Sequence, residues 1–266
     1  MRADQLLVER GLASSRSQAQ RMITAGVRWR PAGQDDVAWK AVVRNRDELS
    51  DDAQIDLMDG AEARYVSRGG LKLEGALQST GIAVQGKTCL DVGQSTGGFT
   101  DCLLQQGAAH VTGVDVGQGQ LHASLREDPR VLCIESVNAR NLQASDLLDA
   151  PDLIEEDEQP QQDAPSFDLI VGDLSFISQT LVLPALVPML APGGDLLMLV
   201  KPQFELQPGQ VGKGGIVKDE AFYPLIEQRI RDCCADLGLE VRGWHDSAIE
   251  GGDGNREFFV HARRTP

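Results

Sequence analysis

From about residue 64 onward the chain alternates short apolar runs with polar segments of helical length. TCLDVG (88–93), HVTGVDV (110–116), VLCIES (131–136), FDLIVGDL (167–174) and DLLMLVKP (195–202) are β-branched or leucine-rich runs of strand length. Segments such as 98–106 and 177–190 between them suit helices. Strands that alternate with helices predict an α/β fold, a parallel sheet covered by helices on both faces. A long helix is expected over about 220–237. LEVRGWHDSA and REFFVHARR then predict a terminal antiparallel pair across the glycine-rich loop IEGGDGN.

The first 58 residues follow another pattern. RADQLLVERGLASSRSQAQRMITAG predicts two short helices, with Leu6, Leu7 and Val8 on the first and Gly11 ending it. Ser14 or Ser15 caps the second and Gly26 stops it. Ala19, Met22 and Ile23 fall at helical spacing on one face, which leaves Arg16, Gln20 and Arg21 to solvent. VRWRPAG, residues 37–43 and AQIDLM suggest short strands. The expected organisation is a small α+β module at 1–58, a linker at 59–63 and an α/β domain at 64–266. Within the latter, the acidic, proline-flanked stretch 152–163 reads as a mobile surface insertion.

Charge sharpens this division. The net charge of −15 argues against indiscriminate binding to nucleic acid. Yet residues 1–46 hold nine Lys/Arg against four acids, while residues 152–168 hold seven acids and no base. The chain is an acidic protein with a basic head. At 266 residues and 41% hydrophobic it can bury a substantial core. No run approaches the roughly 20 apolar residues that span a bilayer. The opening MRADQLLVERG interleaves charges with leucines, so a cytoplasmic protein without membrane contact is expected. The five cysteines form no C-x-x-C or finger-like spacing and read as buried thiols, not as a metal site or disulfide framework.

In an open α/β sheet, ligands bind beyond the carboxyl ends of the strands. Those ends are polar here: Asp91 leading into GQSTGG, Asp115, Asn138, Asp173 and Lys201. The loop 93–98 offers small residues and backbone N–H groups to a cofactor, but it has neither the G-x-G-x-x-G form nor a P-loop lysine. Asp115 is placed either to accept from two ribose hydroxyls or to serve as a loop or cap acid. An adenosyl ligand without pyrophosphate would suit loop and acid together, with Asn138 at the base edge. Asp173 either caps the next helix or faces the same ligand. If the last strand is antiparallel, Glu257 at its start shares one mouth with Asp173 and Lys201. Lys201 itself either marks where an apolar strand reaches solvent or belongs to that mouth.

YVSRGGLKLEGAL, LDVGQSTGGFTDCLL, VDVGQGQL, VGDLSFIS, LVKPQFE, VGKGGIV and GNREFFV, in that order, resemble the TlyA (haemolysin A) family of ribosomal RNA 2'-O-methyltransferases, which have an FtsJ-like catalytic domain. The head resembles the family's S4 RNA-binding domain. The resemblance implies a Rossmann-like S-adenosylmethionine-dependent methyltransferase with a mostly parallel seven-stranded sheet. It further implies ribosomal RNA or a ribosomal subunit as partner and a cytidine ribose as acceptor. It implies a catalytic set of Lys72, Asp173, Lys201 and Glu257. The donor site would use Asp91, Gly93, Ser95, Gly97 and Gly98, with Asp115 on the ribose and Asn138 near the adenine. The chain departs from the family at VRWRPAG, at Gln94 and at Gln118.

An RNA 2'-hydroxyl must be aligned with an already activated methyl and lose its proton. Lys201 would either accept that proton or orient the hydroxyl, with Asp173 and Glu257 holding the lysines. Arg2, Arg16, Arg21 and Arg28 in the head, with Lys213 and Lys218 in a glycine-rich loop, are the expected phosphate contacts. Three other readings share parts of this pattern: a membrane-acting haemolysin, an RNA-binding protein without catalysis, and a nicotinamide-dependent oxidoreductase. The last leaves Lys72 and Lys201 without a role.

Overall fold

The structure, a computed structural model, describes residues 1–13, 15–34, 36–57, 64–147 and 165–265. The expected linker 59–63 and acidic insertion 152–163 lie outside the described residues. The chain forms two compact units, Met1–Leu71 and Lys72–Pro266.

In the first unit, α1 (Ala3–Glu9) and α2 (Arg16–Gly26) precede a small antiparallel sheet of β1 (Val27–Arg30), β2 (Lys40–Ala41) and β3 (Gln54–Leu57), in the order β2-β1-β3. Gly11, at φ +67°, turns the chain out of α1, a conformation that a side chain would strain. Ser15 caps α2, its hydroxyl accepting from Gln18 N at 3.2 Å. Leu6, Leu7, Ala19, Met22, Ile23 and Val27 form the core. The strand expected over 37–43 shrinks to two residues. Val42 is buried in the core and its N donates to Val27 O at 2.8 Å, but Val43 is exposed and Lys40 and Ala41 bury neither face, so the pairing ends there.

The second unit is built on seven strands. In chain order α3 (Gly69–Thr80) leads to β4 (Thr88–Val92), α4 (Gly98–Gln105), β5 (His110–Asp115), α5 (Ala123–Arg126), β6 (Val131–Glu135) and β7 (Phe167–Gly172). Then come α6 (Gln179–Leu186), β8 (Leu190–Val200), α7 (Pro202–Glu205), α8 (Phe222–Asp236), β9 (Leu239–Asp246) and β10 (Phe258–Arg264). The sheet order is β6-β5-β4-β7-β8-β10-β9. β4 to β8 run parallel, while β10 is antiparallel to both β8 and β9. Leu169–Val171 and Leu196–Val200 have no exposed surface, as continuous apolar strands covered on both faces should. After β4 the chain builds outward to β6 and then returns to lay β7 on the other side of β4. The crevice above β4 and β7 is therefore the topological switch point.

Two local features differ from expectation. The helix expected over 177–190 is α-helical to Leu186 and runs on as a 3-10 turn over Val187–Met189, but β8 begins at Leu190 and not at the expected 195, with Gly193 at φ +72° in the bulge before register is regained at Asp195. The cap of α6 is Ser178, braced by buried Glu205, which accepts from Gln179 N at 2.7 Å. Asp173 does not cap that helix. At the opposite end of the sheet Asp195 ties three elements together, 3.0 Å from His261 Nε2 and 3.5 Å from Lys87 Nζ.

Candidate active site

Antiparallel β10 starts where parallel β8 ends, so Phe258 pairs with Val200 and Glu257 sits level with Lys201. Glu257 is 3% exposed and meets Lys72 of α3, itself 7% exposed, with Nζ 2.6 Å from Oε2. Gly251 makes this pair possible: a Cβ there would lie 2.6 Å from Glu257 Oε1. Lys201 forms a second pair, its Nζ 2.6 Å from Asp173 Oδ1, and donates to Ser175 Oγ at 2.9 Å. Four ionisable groups up to 185 positions apart in the chain thus stand as two ion pairs at one sheet edge. Lys72, Lys201 and Glu257 line a cavity of about 620 Å³ with Gln203, Phe204, Gly214, Gly215 and Asp253.

A second cavity, of about 460 Å³, lies over the switch point. Of the residues expected around a donor, Gly93, Ser95, Asp115 and Asn138 line it, and Asp173 joins them. Asp115 accepts from Ser95 N and Gly117 N, each at 2.7 Å, so it shapes the loop while its remaining lone pairs stay open to a ligand. Asn138 caps a short turn, accepting from Arg140 N at 3.0 Å. Gly93, at φ +83°, has the backbone oxygen of Asp173 only 2.9 Å from where a Cβ would stand.

Asp91, Gly97 and Gly98 do not line this cavity. Gly97 faces Leu121 and Leu125, and Gly98 is buried at the start of α4. Asp91 is wholly buried, with Oδ2 accepting from Thr100 at 2.7 Å and Oδ1 without a partner. Thr100 in turn accepts from Gln94 at 2.9 Å, so the Gln94 departure fills space over Gly113 and braces Thr100. Burial pushes the Asp91 carboxyl up to about 7; the Thr100 hydrogen bond opposes this and the charge of Asp173 adds to it.

The two cavities share Ser175 and Phe176 as a wall. Phe176 is 89% exposed, sits at φ +66° and lies 4.9 Å from the Phe204 ring centroid. The described non-glycine residues at positive φ are Ser95, Ser136 and Phe176, and each follows a strand that ends at this edge. Such backbone strain concentrates where ligands bind. Periodicity reveals neither a positive φ nor an unshielded aromatic, so Phe176 and Phe204 carry no signal along the chain, and Gln203 and Asp253 look there like ordinary loop residues.

In the head, Arg2 and Arg16 both reach buried Asp4, at 2.9 and 3.4 Å, and Arg28 is bonded to Asp56 across the sheet. These three arginines are therefore anchored, each with side-chain surface still exposed. Arg21 lines a shallow hollow with Gln20, Thr24 and Asn45; a neighbouring hollow adds Arg44 and Arg46 to Arg2. Arg44 and Arg46 were not among the expected contacts. Their signal was present in the local density of positive charge. Lys213 and Lys218 are exposed on the glycine-rich loop. Among the described residues, no helix is long and apolar enough to cross a membrane, and no group of three His, Cys, Asp or Glu could hold a metal.

Comparison with known proteins supplies the family. A family described as FtsJ-like methyltransferase matches residues 65–264, and one described as the S4 domain matches residues 1–26. The 16S/23S rRNA (cytidine-2'-O)-methyltransferase TlyA of Mycobacterium tuberculosis is 43% identical over 98% of this chain and 89% of its own length. A solved Streptococcus thermophilus protein described as a hemolysin is 36% identical over the whole of this chain and 88% of its own, with a TM-score of 0.72. A Listeria monocytogenes structure described as an S-adenosylmethionine dependent methyltransferase, 15% identical with a TM-score of 0.50, shares the fold over 74% of this chain and 99% of its own. With matches of this extent on both units, the chain belongs to the TlyA (haemolysin A) family, a methyltransferase with an FtsJ-like domain and an N-terminal S4 domain.

Proposed function

We propose that this enzyme transfers a methyl group from S-adenosylmethionine to the 2'-hydroxyl of a cytidine in ribosomal RNA. The observation that carries the reading is the pair of adjoining cavities, with the Lys201–Asp173 ion pair and Phe176 at their junction. The switch-point cavity suits the donor: the close backbone at Gly93, the open lone pairs of Asp115 and the carboxylate of Asp173, whose Oδ1 accepts no hydrogen bond, fit a ligand with a ribose and an ammonium group. S-adenosylmethionine, when bound, supplies an activated sulfonium methyl. Asp115 would hold the ribose, Asn138 the adenine edge and Asp173 the amino group, while buried Asp91 braces Thr100 of α4.

The other cavity suits the acceptor nucleotide. Lys201 donates one hydrogen bond, to Ser175, and its contact with Asp173 Oδ1 is an ion pair without a hydrogen bond, so N–H donors remain for the 2'-oxygen. Lys201 therefore orients the hydroxyl, and the buried Lys72–Glu257 pair fixes the far wall. Phe176 and Phe204 offer aromatic faces to an unstacked base. Residues 1–58 serve as the RNA-binding module and 64–266 as the catalytic domain, in the cytoplasm. Arg21, Arg44 and Arg46, with the exposed parts of Arg2, Arg16 and Arg28, meet phosphates.

The test is methyl transfer from labelled donor to ribosomal RNA taken from a strain lacking the gene, followed by mapping of 2'-O-methyl positions. Wild-type protein should add a discrete cytidine modification. Lys201→Ala should bind the donor in calorimetry yet transfer no label. A map unchanged by the wild-type protein refutes the reading, and lysis of lipid vesicles by the Lys201→Ala variant would favour a membrane activity instead.

A further inference from the structure

The reaction cavity has two glycine-rich walls that are distant in sequence. Gly214 and Gly215 form one, in the loop after α7. Gly252 and Asp253 form the other, in the loop that ends at Glu257. One side chain joins them. Asn255 is 2% exposed, and its Oδ1 accepts from Val217 N at 2.9 Å. Its Nδ2 donates to Gly215 O at 2.9 Å and to Asp253 Oδ2 at 3.3 Å. Its own carbonyl accepts from Gly251 N at 2.9 Å, the residue packed against Glu257.

The far loop is a closed turn. Gly212 N donates to Ile216 O at 2.9 Å, and Gly214 and Gly215 take φ of +78° and +81°. Exposed Lys213 sits on this turn and exposed Lys218 just beyond it. Donor and acceptor must both be present at position 255. The acceptor holds Val217, the donor holds Gly215, and only a primary amide of this length supplies both.

We infer that Asn255 is a positioning residue for the acceptor RNA: it holds the 212–217 turn against the loop that delivers Glu257, and so sets the width of the reaction cavity and the reach of Lys213. The inference rests on the methyl-transfer reading given above. Asn255→Asp keeps the shape and the bond from Val217 but turns a carboxylate toward Gly215 O and Asp253. Asn255→Ala removes all three side-chain bonds.

The experiment measures four quantities on full-length protein: donor Kd by calorimetry, Kd and KM for unmethylated ribosomal RNA, kcat, and amide exchange at Val217. Expected for Asn255→Asp is a loss of about tenfold in RNA Kd and KM, the scale of one or two hydrogen bonds, with donor Kd unchanged. Lys213→Ala should weaken RNA binding in the wild-type background and do so much less in Asn255→Asp, because a displaced turn no longer presents that lysine. Val217 exchange should accelerate in Asn255→Ala. RNA Kd and KM unchanged despite faster exchange at Val217 would overturn the inference, and so would additive losses from Lys213→Ala and Asn255→Asp. If Asn255→Ala does not fold, Asn255→Asp decides the matter. Wild-type protein that binds RNA without methylating it would refute the catalytic reading alone, since the RNA Kd comparison still judges Asn255.

Discussion

Lys72→Met is the perturbation that most directly probes the buried pair at the edge of the candidate active site. Lys72 and Glu257 keep only 9% and 2% of their side-chain surface, and their charges stand 2.6 Å apart. At that separation, and an effective dielectric of about 20, the attraction is about 6 kcal/mol, offset in large part by the desolvation of both ions. Removing one partner forfeits the attraction and leaves the other's desolvation uncompensated. Lys72→Met or Glu257→Gln alone should therefore lower unfolding free energy by about 3–5 kcal/mol. The double variant removes both charges and should be less destabilised than the two singles added together, by at least about 2 kcal/mol. Urea denaturation of the four proteins, without donor, measures the cycle. The Lys201–Asp173 pair is the internal control: with side chains 12% and 23% exposed, water can replace the lost partner, and Asp173→Asn should cost about 1 kcal/mol while reducing methyl transfer severely. A Lys72→Met protein within about 1 kcal/mol of wild type, or a double variant equal to the sum of the singles, would refute the reasoning.

Three further outcomes are expected. Asp91 holds its proton up to about pH 7 in the folded chain against 3.8 as its ordinary value, so the folded state binds more protons between those limits. Stability of the donor-free protein should therefore fall as pH rises through that window, by up to about 1.4 kcal/mol per unit, and denaturation at pH 5 and pH 8 should show no such slope for Asp91→Asn. Gly251→Ala brings a methyl to 2.6 Å from Glu257 Oε1 and should displace that carboxylate from Lys72, lowering kcat and thermal stability while donor Kd measured by calorimetry stays the same. Phe176→Gly relieves a positive φ and should leave stability equal or raise it by about 1 kcal/mol, yet weaken RNA binding in a filter assay.

Much of the architecture could be read along the chain because each element's pattern agreed with its burial. The run FDLIVG is apolar without alternation because β7 is covered on both faces. β4 to β7 and α4 fall within a residue or two of where strand length and glycine punctuation put them. The start of β8 was missed because APGGD lacks any strand signature; its pairing to β7 comes from neighbouring backbone and not from propensity. In the site, the polar residues that end the strands announced themselves by breaking apolar runs. Asn255 and Gly251 did not, since a polar residue and a glycine in a loop look ordinary until the contacts they satisfy are seen.

By itself the sequence determined the parallel sheet, the basic head and the set of charged residues at the strand ends, because periodicity and composition are local properties. Tertiary structure decided how those residues associate. The antiparallel placement of β10 beside β8 carries Glu257 to the edge where Lys201 emerges, and α3 delivers Lys72 to Glu257 and not to Asp173. Pairings of this kind depend on distances across 28 to 185 residues of chain. Only the packed sheet, which closes those separations to hydrogen-bond length and removes the water between them, sets which charge meets which.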